Sequence, residues 1–264
     1  MDSGGGLALT LAIVEGVELL KTLLAADPSR PRLTCYDETT GGRTDLSALT
    51  LDNWAAKIGN MLHDEFDVEP GGTVWIDLPV IWQAACIVLG CERAGVRIAA
   101  DEPLVVFTTV GKLSTWEERF PDAYIAAVTD DVFGRGVIEC GGTLPPGIVD
   151  FGPEVRLHPD AYLGGGPDPE QSALIGNQSA ADLLATATEQ ADAAGIAPNA
   201  RLVTRGWLDS PTPGAAEELN AAAWVHSVVV PWVRDGAAVV VRGGDADRLA
   251  AIAAAEKATV LPQR

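Results

Sequence analysis

Residues 44–100 constrain the fold most, because in this stretch every local signal agrees. Leu51, Trp54, Ala55, Ile58, Met61 and Leu62 recur at steps of three and four residues, the period of an amphipathic helix. Thr50, followed by Asn53, is placed to cap that helix, since its hydroxyl can accept a first-turn N–H. Pro70, Gly71 and Gly72 then break the chain, and Val74, Ile76 and Leu78 alternate in a short strand that Pro79 ends. Residues 81–94 form an apolar run of helical length, with Gly95 where a left-handed cap residue is expected. Residues 96–99 read as a second strand. Strand, helix and strand with short joints make a βαβ unit, which requires parallel pairing and a right-handed crossover.

The same reading predicts α/β structure elsewhere, with mostly parallel sheets flanked by helices in two similar lobes. Before the central unit it predicts a helix over 11–25 and a hairpin of 33–36 with 43–46 around the turn Thr39, Thr40, Gly41, Gly42. After it come strands at 104–109 and 123–128 and a helical turn at 114–119. Residues 134–171 are crowded with glycine and proline and read as an irregular connector. A strand at 172–175, a helix over 180–194, a strand at 201–204 and a helix over 215–230 follow. The strand at 237–241, a helix from an Asp245 cap to Lys257, and a last strand at 259–261 complete the pattern. The expected division is therefore 1–133 for a first lobe, 134–171 for the connector, and 172–264 for a second lobe that reads as cut short.

Composition narrows the function classes. The 264 residues carry a formal net charge of −19, a field that opposes binding to nucleic acid or anionic lipid, whose phosphates are held largely by Lys and Arg. The longest apolar run, 221–233, contains His226 and Pro231 and falls short of the roughly 20 residues that span a bilayer. The N-terminus has no basic flank of the kind a signal peptide carries. A cytoplasmic protein without membrane insertion is expected. Cys35, Cys86, Cys91 and Cys140 form no Cys-x-x-Cys pair, and His63, His158 and His226 are far apart, so no metal ligand set is expected. Trp54 and Trp82 fit core positions. Trp75 would point away from Val74 and Ile76, which suits a strand buried on both faces. His226, beside Trp224, reads as a core or rim histidine, and Asp77, Asp130 and Asp131 as solvated carboxylates.

Several segments resemble the N-terminal region of the adenylate-forming superfamily, which includes acyl-CoA synthetases and peptide-synthetase adenylation domains. They are Gly72-Thr73-Val74-Trp75-Ile76-Asp77-Leu78-Pro79, Leu89-Gly90-Cys91-Glu92-Arg93-Ala94-Gly95, Asp235-Gly236-Ala237-Ala238-Val239-Val240-Val241 and Glu256-Lys257-Ala258-Thr259-Val260-Leu261. The resemblance spans most of the chain, but these segments are marks of the fold and not of catalysis. It implies an ATP-phosphate loop rich in Ser, Thr and Gly, ending Gly-x-Pro-Lys, just after a strand such as 173–175. Small residues would let backbone N–H groups approach the phosphates there, and the lysine would add charge.

At that place this chain reads Gly176-Asn177-Gln178-Ser179-Ala180-Ala181-Asp182, without the Thr/Gly cluster, and Lys112 and Lys257 are successive lysines. Gly176, Asn177, Gln178 and Ser179 remain candidates for backbone capture of an anion between strand and helix. The competing reading is an ordinary turn with Ser179 as N-cap. Trp207 stands where the resemblance implies an aromatic or histidine shaping an acyl pocket. The later Tyr-Gly-x-Thr-Glu segment, the ribose-binding Asp and the C-terminal catalytic Lys have no counterpart. No catalytic residue is assigned, and activation of a carboxylate beside a phosphate lacks the positive charge it needs. The resulting expectation is a non-catalytic homologue of the N-terminal part of an AMP-forming acyl-CoA synthetase, working as a binding or interaction module without a cofactor. Two alternatives stand: one half of a split carboxylate–AMP/CoA ligase completed by a partner chain, or a protein binding a small nucleotide or acyl ligand. ATP, AMP or CoA enters only under those alternatives. The expected partner is a protein or a small molecule.

Overall fold

The structure, a computed structural model, describes residues 18–164, 173–208 and 219–261. Helix α1 (Glu18–Ala26) turns Leu19, Leu20 and Leu23 inward; the earlier part of the expected helix lies outside the described residues. Strands β1 (Pro31–Asp37) and β2 (Gly42–Ser47) pair as the expected hairpin, with Gly41 in the left-handed region at φ +78°. Helix α2 (Ala48–Asp64) is capped by Ser47, whose hydroxyl accepts the Thr50 N–H at 3.1 Å. The cap thus falls three residues before the one predicted. Ser47 closes β2 in extended backbone (φ −74°, ψ 165°), so Ala48 and Leu49 already enter the helix.

The central unit forms as read. Strand β3 (Thr73–Asp77), helix α3 (Trp82–Ala94) and strand β4 (Arg97–Ile98) follow in order, and β3 pairs with β4 in parallel. Gly95 closes α3 at φ +67°, its N–H donating to the carbonyls of Cys91 and Glu92. All 13 residues of α3 are buried, which explains why its sequence, Gln83, Glu92 and Arg93 apart, is apolar on every face rather than along one stripe.

Strand β5 (Val105–Thr108), a 3-10 turn (Val110–Lys112), helix α4 (Leu113–Arg119) and strand β6 (Tyr124–Ala127) come next. The stretch expected to be an irregular connector is partly ordered into the fold. Strand β7 (Val149–Asp150) extends the sheet beside β6, and helix α5 (Phe151–Val155) sets Phe151 edge-on to Phe107 at 5.9 Å. The Asp150 carboxylate accepts the N–H groups of Val137 and Ile138, which folds the glycine-rich segment back onto the sheet. Local periodicity could not reveal this, because a two-residue strand has none. Residues 165–172 of that stretch, with Gly165 and Gly166, lie outside the described residues.

Strands β8 (Ala173–Ile175) and β9 (Gln178–Ser179), helix α6 (Ala180–Ala193) and strand β10 (Arg201–Thr204) follow. The helix expected over 215–230 is described from Ala221 as α7 (Ala221–Trp224), a π-helical turn (Val225–Val229) and α8 (Val230–Trp232). Pro231 lies at the start of α8, and its missing N–H cannot continue a regular helical ladder. Strand β11 (Ala237–Arg242), helix α9 (Ala246–Glu256) capped by Asp245, and strand β12 (Thr259–Val260) complete the order.

The strands make two sheets, of order β12-β10-β11-β1-β2 and β7-β6-β5-β3-β4-β8-β9. Pairing is parallel except for the hairpins β1–β2 and β8–β9. Membership cuts across the division drawn in sequence: β1 and β2 join β10, β11 and β12, while β8 and β9 join the strands of the first half. Inner faces of both sheets and helices α2 and α3 share one core, with Leu33 and Val240 from one sheet and Val74 and Ile76 from the other. On the outer face of the seven-stranded sheet, Trp75 packs with Leu113 and Trp116 of α4. On the other outer face Val203 and Val239 meet Ile252 of α9. The result is five layers, helix–sheet–helix–sheet–helix. Trp75 sits as its alternation predicted, on the face opposite Val74 and Ile76.

Candidate functional site

The stretch where the resemblance implies a phosphate loop forms a two-residue turn. Gly176 and Asn177 connect β8 to β9, Gly176 lies at φ +60°, and its N–H donates to the Ile98 carbonyl at 3.0 Å. Gln178 pairs with Ile175 in the hairpin. Ser179 caps α6 through a reciprocal box: its hydroxyl accepts the Asp182 N–H at 3.1 Å, and the Asp182 carboxylate accepts the Ser179 N–H at 2.9 Å. The Ser179 hydroxyl also donates to that carboxylate at 2.8 Å. These bonds hold the Asp182 carboxyl below its usual range, the Ser179 N–H contributing most. The N-terminus of α6 therefore already has an anion of its own. A phosphate placed there would have to displace Asp182 or face its charge.

Trp207 is not brought to this turn. It follows β10 of the other sheet, is 1% exposed, and packs edge-on against Trp224 at 5.2 Å. Gly206 before it has φ +94°, and a Cβ there would stand 2.4 Å from Val80. The backbone thus presses against the loop that leads into α3. Trp207 serves the core that joins the two sheets. His226 lies in the π-helical turn, partly buried, and its neighbour Ser227 donates to the Gly206 carbonyl at 2.7 Å.

Of the three aspartates read as solvated carboxylates, Asp77 is instead buried, and each stands with a separate cation. Asp77, at the end of β3, accepts from Lys112 at 2.7 Å and from the Trp116 indole at 2.8 Å. Asp130 shares Arg242 with Asp37, at 3.0 and 2.8 Å. Asp131 accepts from Arg135, whose guanidinium holds its carboxyl down to about 2. Asp130 and Asp131 also border a cleft of about 400 Å³ with Thr40, Gly41, Gly42, Thr129, Val132 and the exposed Cys140. The sequence reading missed this cleft. Its signal was an Asp pair just after a strand, since parallel sheets place clefts at the carboxyl ends of their strands. Hairpin turn and strand end come from different sheets, so no local pattern could pair them.

No protein-family model matches the chain. It is 33% identical over 222 residues to a Mycobacterium tuberculosis (strain ATCC 25618 / H37Rv) protein described as a TIGR03089 family protein, a match covering 81% of this chain and 88% of that relative. Among solved structures it is similar to an acyl-CoA synthetase of Brucella canis (TM-score 0.68, 18% identity), over 93% of this chain and 47% of that one. It is likewise similar to apo MatB from Rhodopseudomonas palustris (TM-score 0.66, 14% identity), over 90% of this chain and 48% of the other. A fatty acid AMP ligase from Legionella pneumophila matches at TM-score 0.64 and 12% identity, over 96% of this chain and 45% of the ligase. Identities this low establish the fold alone, and the chain spans under half of each of these structures. The fold is that of the N-terminal regions of acyl-CoA synthetases, as the four segments implied. With a third of the matched residues identical across most of both chains, the protein belongs to the TIGR03089 family.

Proposed function

We propose that this chain is a non-catalytic relative of the N-terminal part of an AMP-forming acyl-CoA synthetase, acting as a binding or interaction module. One observation carries the reading. Where an adenylating enzyme would cradle ATP phosphates, the chain has a two-residue turn and a helix start capped by its own Ser179 and Asp182. Transfer to the α-phosphate brings two anions together and requires positive charge and oriented donors. Asp182 adds charge of the wrong sign. The test is ATP–pyrophosphate exchange by the purified full chain with a panel of carboxylates. No exchange above background is expected, and clear exchange with any of them overturns the reading.

A second reading, one half of a split ligase, has support in coverage: the solved structures reported above are covered to under half of their length. A partner would then supply the remaining groups for carboxylate, ATP or CoA. Co-purification of an adenylating complex would favour this second reading over the first. A third reading, small-ligand capture at Gly176, Asn177, Gln178 and Ser179, predicts a thermal shift with AMP, ATP or CoA.

A further inference from the structure

Glu92 occupies an unusual place. It lies in α3, near its C-terminal end, is 9% exposed, and its Oε1 accepts the Leu19 N–H of α1 at 3.0 Å from 73 residues away. The Glu18 N–H bonds the same carboxyl group. The carboxyl therefore serves helix α1 as an N-cap supplied by another element. Its second oxygen, Oε2, is buried and has no hydrogen-bond partner among the described residues. Beside it lies a cavity of about 30 Å³ lined by Glu18, Cys91, Val96, Ala173, Leu174 and Ala180 among others. That is room for a water, since one needs about 10–15 Å³.

The charges facing this carboxyl do not neutralise it. From α1 comes Glu18, of like sign and paired with Lys21 at 3.8 Å. On α3 the neighbouring Arg93 is paired with Asp52 of α2. The walls from β8 and α6 are Ala173, Leu174 and Ala180, which carry no charge. An ionised carboxylate wants donors on both oxygens, and among the described residues only one has them. Helix α1 is the cover of the cavity, held by Leu19, Leu20 and Leu23 against α2, α6 and α8.

We propose that Glu92 is a proton latch for helix α1: the helix stays docked while the carboxyl is protonated and loosens as it ionises, because undocking hydrates the charge. Burial supports the direction, pushing this carboxyl from 4.5 up to about 8 against the opposing pull of the Leu19 and Glu18 N–H groups. The docked form thus holds its proton more tightly than the hydrated form. Docking is independent of pH below 4.5, weakens by about tenfold per pH unit up to about 8, and levels off above. Because Ala173, Leu174 and Ala180 flank the β8–β9 turn, the latch lies directly behind it. The inference does not depend on whether the chain adenylates anything.

Hydrogen exchange of the full chain at pH 6 and pH 8, corrected for intrinsic rates, tests it. The opening equilibrium of α1 amides should rise by about fiftyfold between these values, with α3 amides of the same molecule changing far less. In Glu92→Gln, which keeps an acceptor for the Leu19 N–H but cannot ionise, α1 should open equally at both values. Parallel changes in α1 and α3, or an unchanged pH response in Glu92→Gln, overturn the latch. Should that variant fail to fold, tryptic cleavage at Lys21 in the wild type, normalised to an unstructured peptide, gives a second reading. A ratio that climbs with pH supports the latch, and a constant ratio sinks it.

Discussion

Among the carboxylates that cap helix N-termini in the described residues, Asp182 and Glu92 are driven in opposite directions by their environments. Asp182 caps α6, its own helix, from an exposed position, and the Ser179 N–H and hydroxyl hold it below its ordinary value of 3.8. Glu92 caps α1 from across the fold, and burial holds it well above 4.5 although it too accepts backbone N–H groups. The capping chemistry is the same in both. What differs is whether water remains to share the charge, and the cost of removing it exceeds the gain from a helix N-terminus.

If the depth of α3 is what sets Glu92 apart, loosening that helix should erase the contrast. Ile87 is 0% exposed in the middle of α3. Ile87→Ala should cost about 2–5 kcal/mol in urea unfolding through lost burial and the cavity left behind. It should also bring Glu92 titration, followed by carboxyl NMR, back toward 4.5. A large loss of stability with Glu92 unmoved would separate packing from titration.

Ser179→Ala attacks the other member of the pair. It should lower stability by about 1 kcal/mol, the usual value of an N-cap hydroxyl, with Glu92 unaffected because the two caps belong to different helices. A change below a few tenths would mean that Asp182 alone satisfies the helix start.

The smallest effect is expected from Asp182→Asn and has a sign set by pH. A carboxyl lowered on folding stabilises the native state above its unfolded value and stops doing so as pH falls through the folded one. Wild type should therefore exceed Asp182→Asn in melting temperature above pH 3.8, with the gap closing in stronger acid. A gap that persists in acid would show that the carboxylate charge is not what caps the helix.

Much of the fold was legible in the residues. Gly95 marked the end of α3, and the alternation around Trp75 announced a strand buried on both faces, because each is a property of a few neighbouring positions. The α2 cap was misplaced by three residues because Ser47 and Thr50 are both competent caps, and the end of β2 chose between them. Trp207 looked like a pocket residue by its place along the chain. Its burial beside Trp224 depends on a packing neighbour that follows a separate element.

The sequence by itself determined the kind of each principal element, the mostly apolar helix at the centre, and the want of a lysine-bearing phosphate loop. These are written in periods, caps and residue types that act over a few positions. Only the tertiary structure decided that β1 lies beside β11, that the glycine-rich connector contributes β7, and that Glu92 caps a helix 73 residues away. Such facts depend on which distant surfaces exclude water together, and burial of that kind leaves no period in the chain.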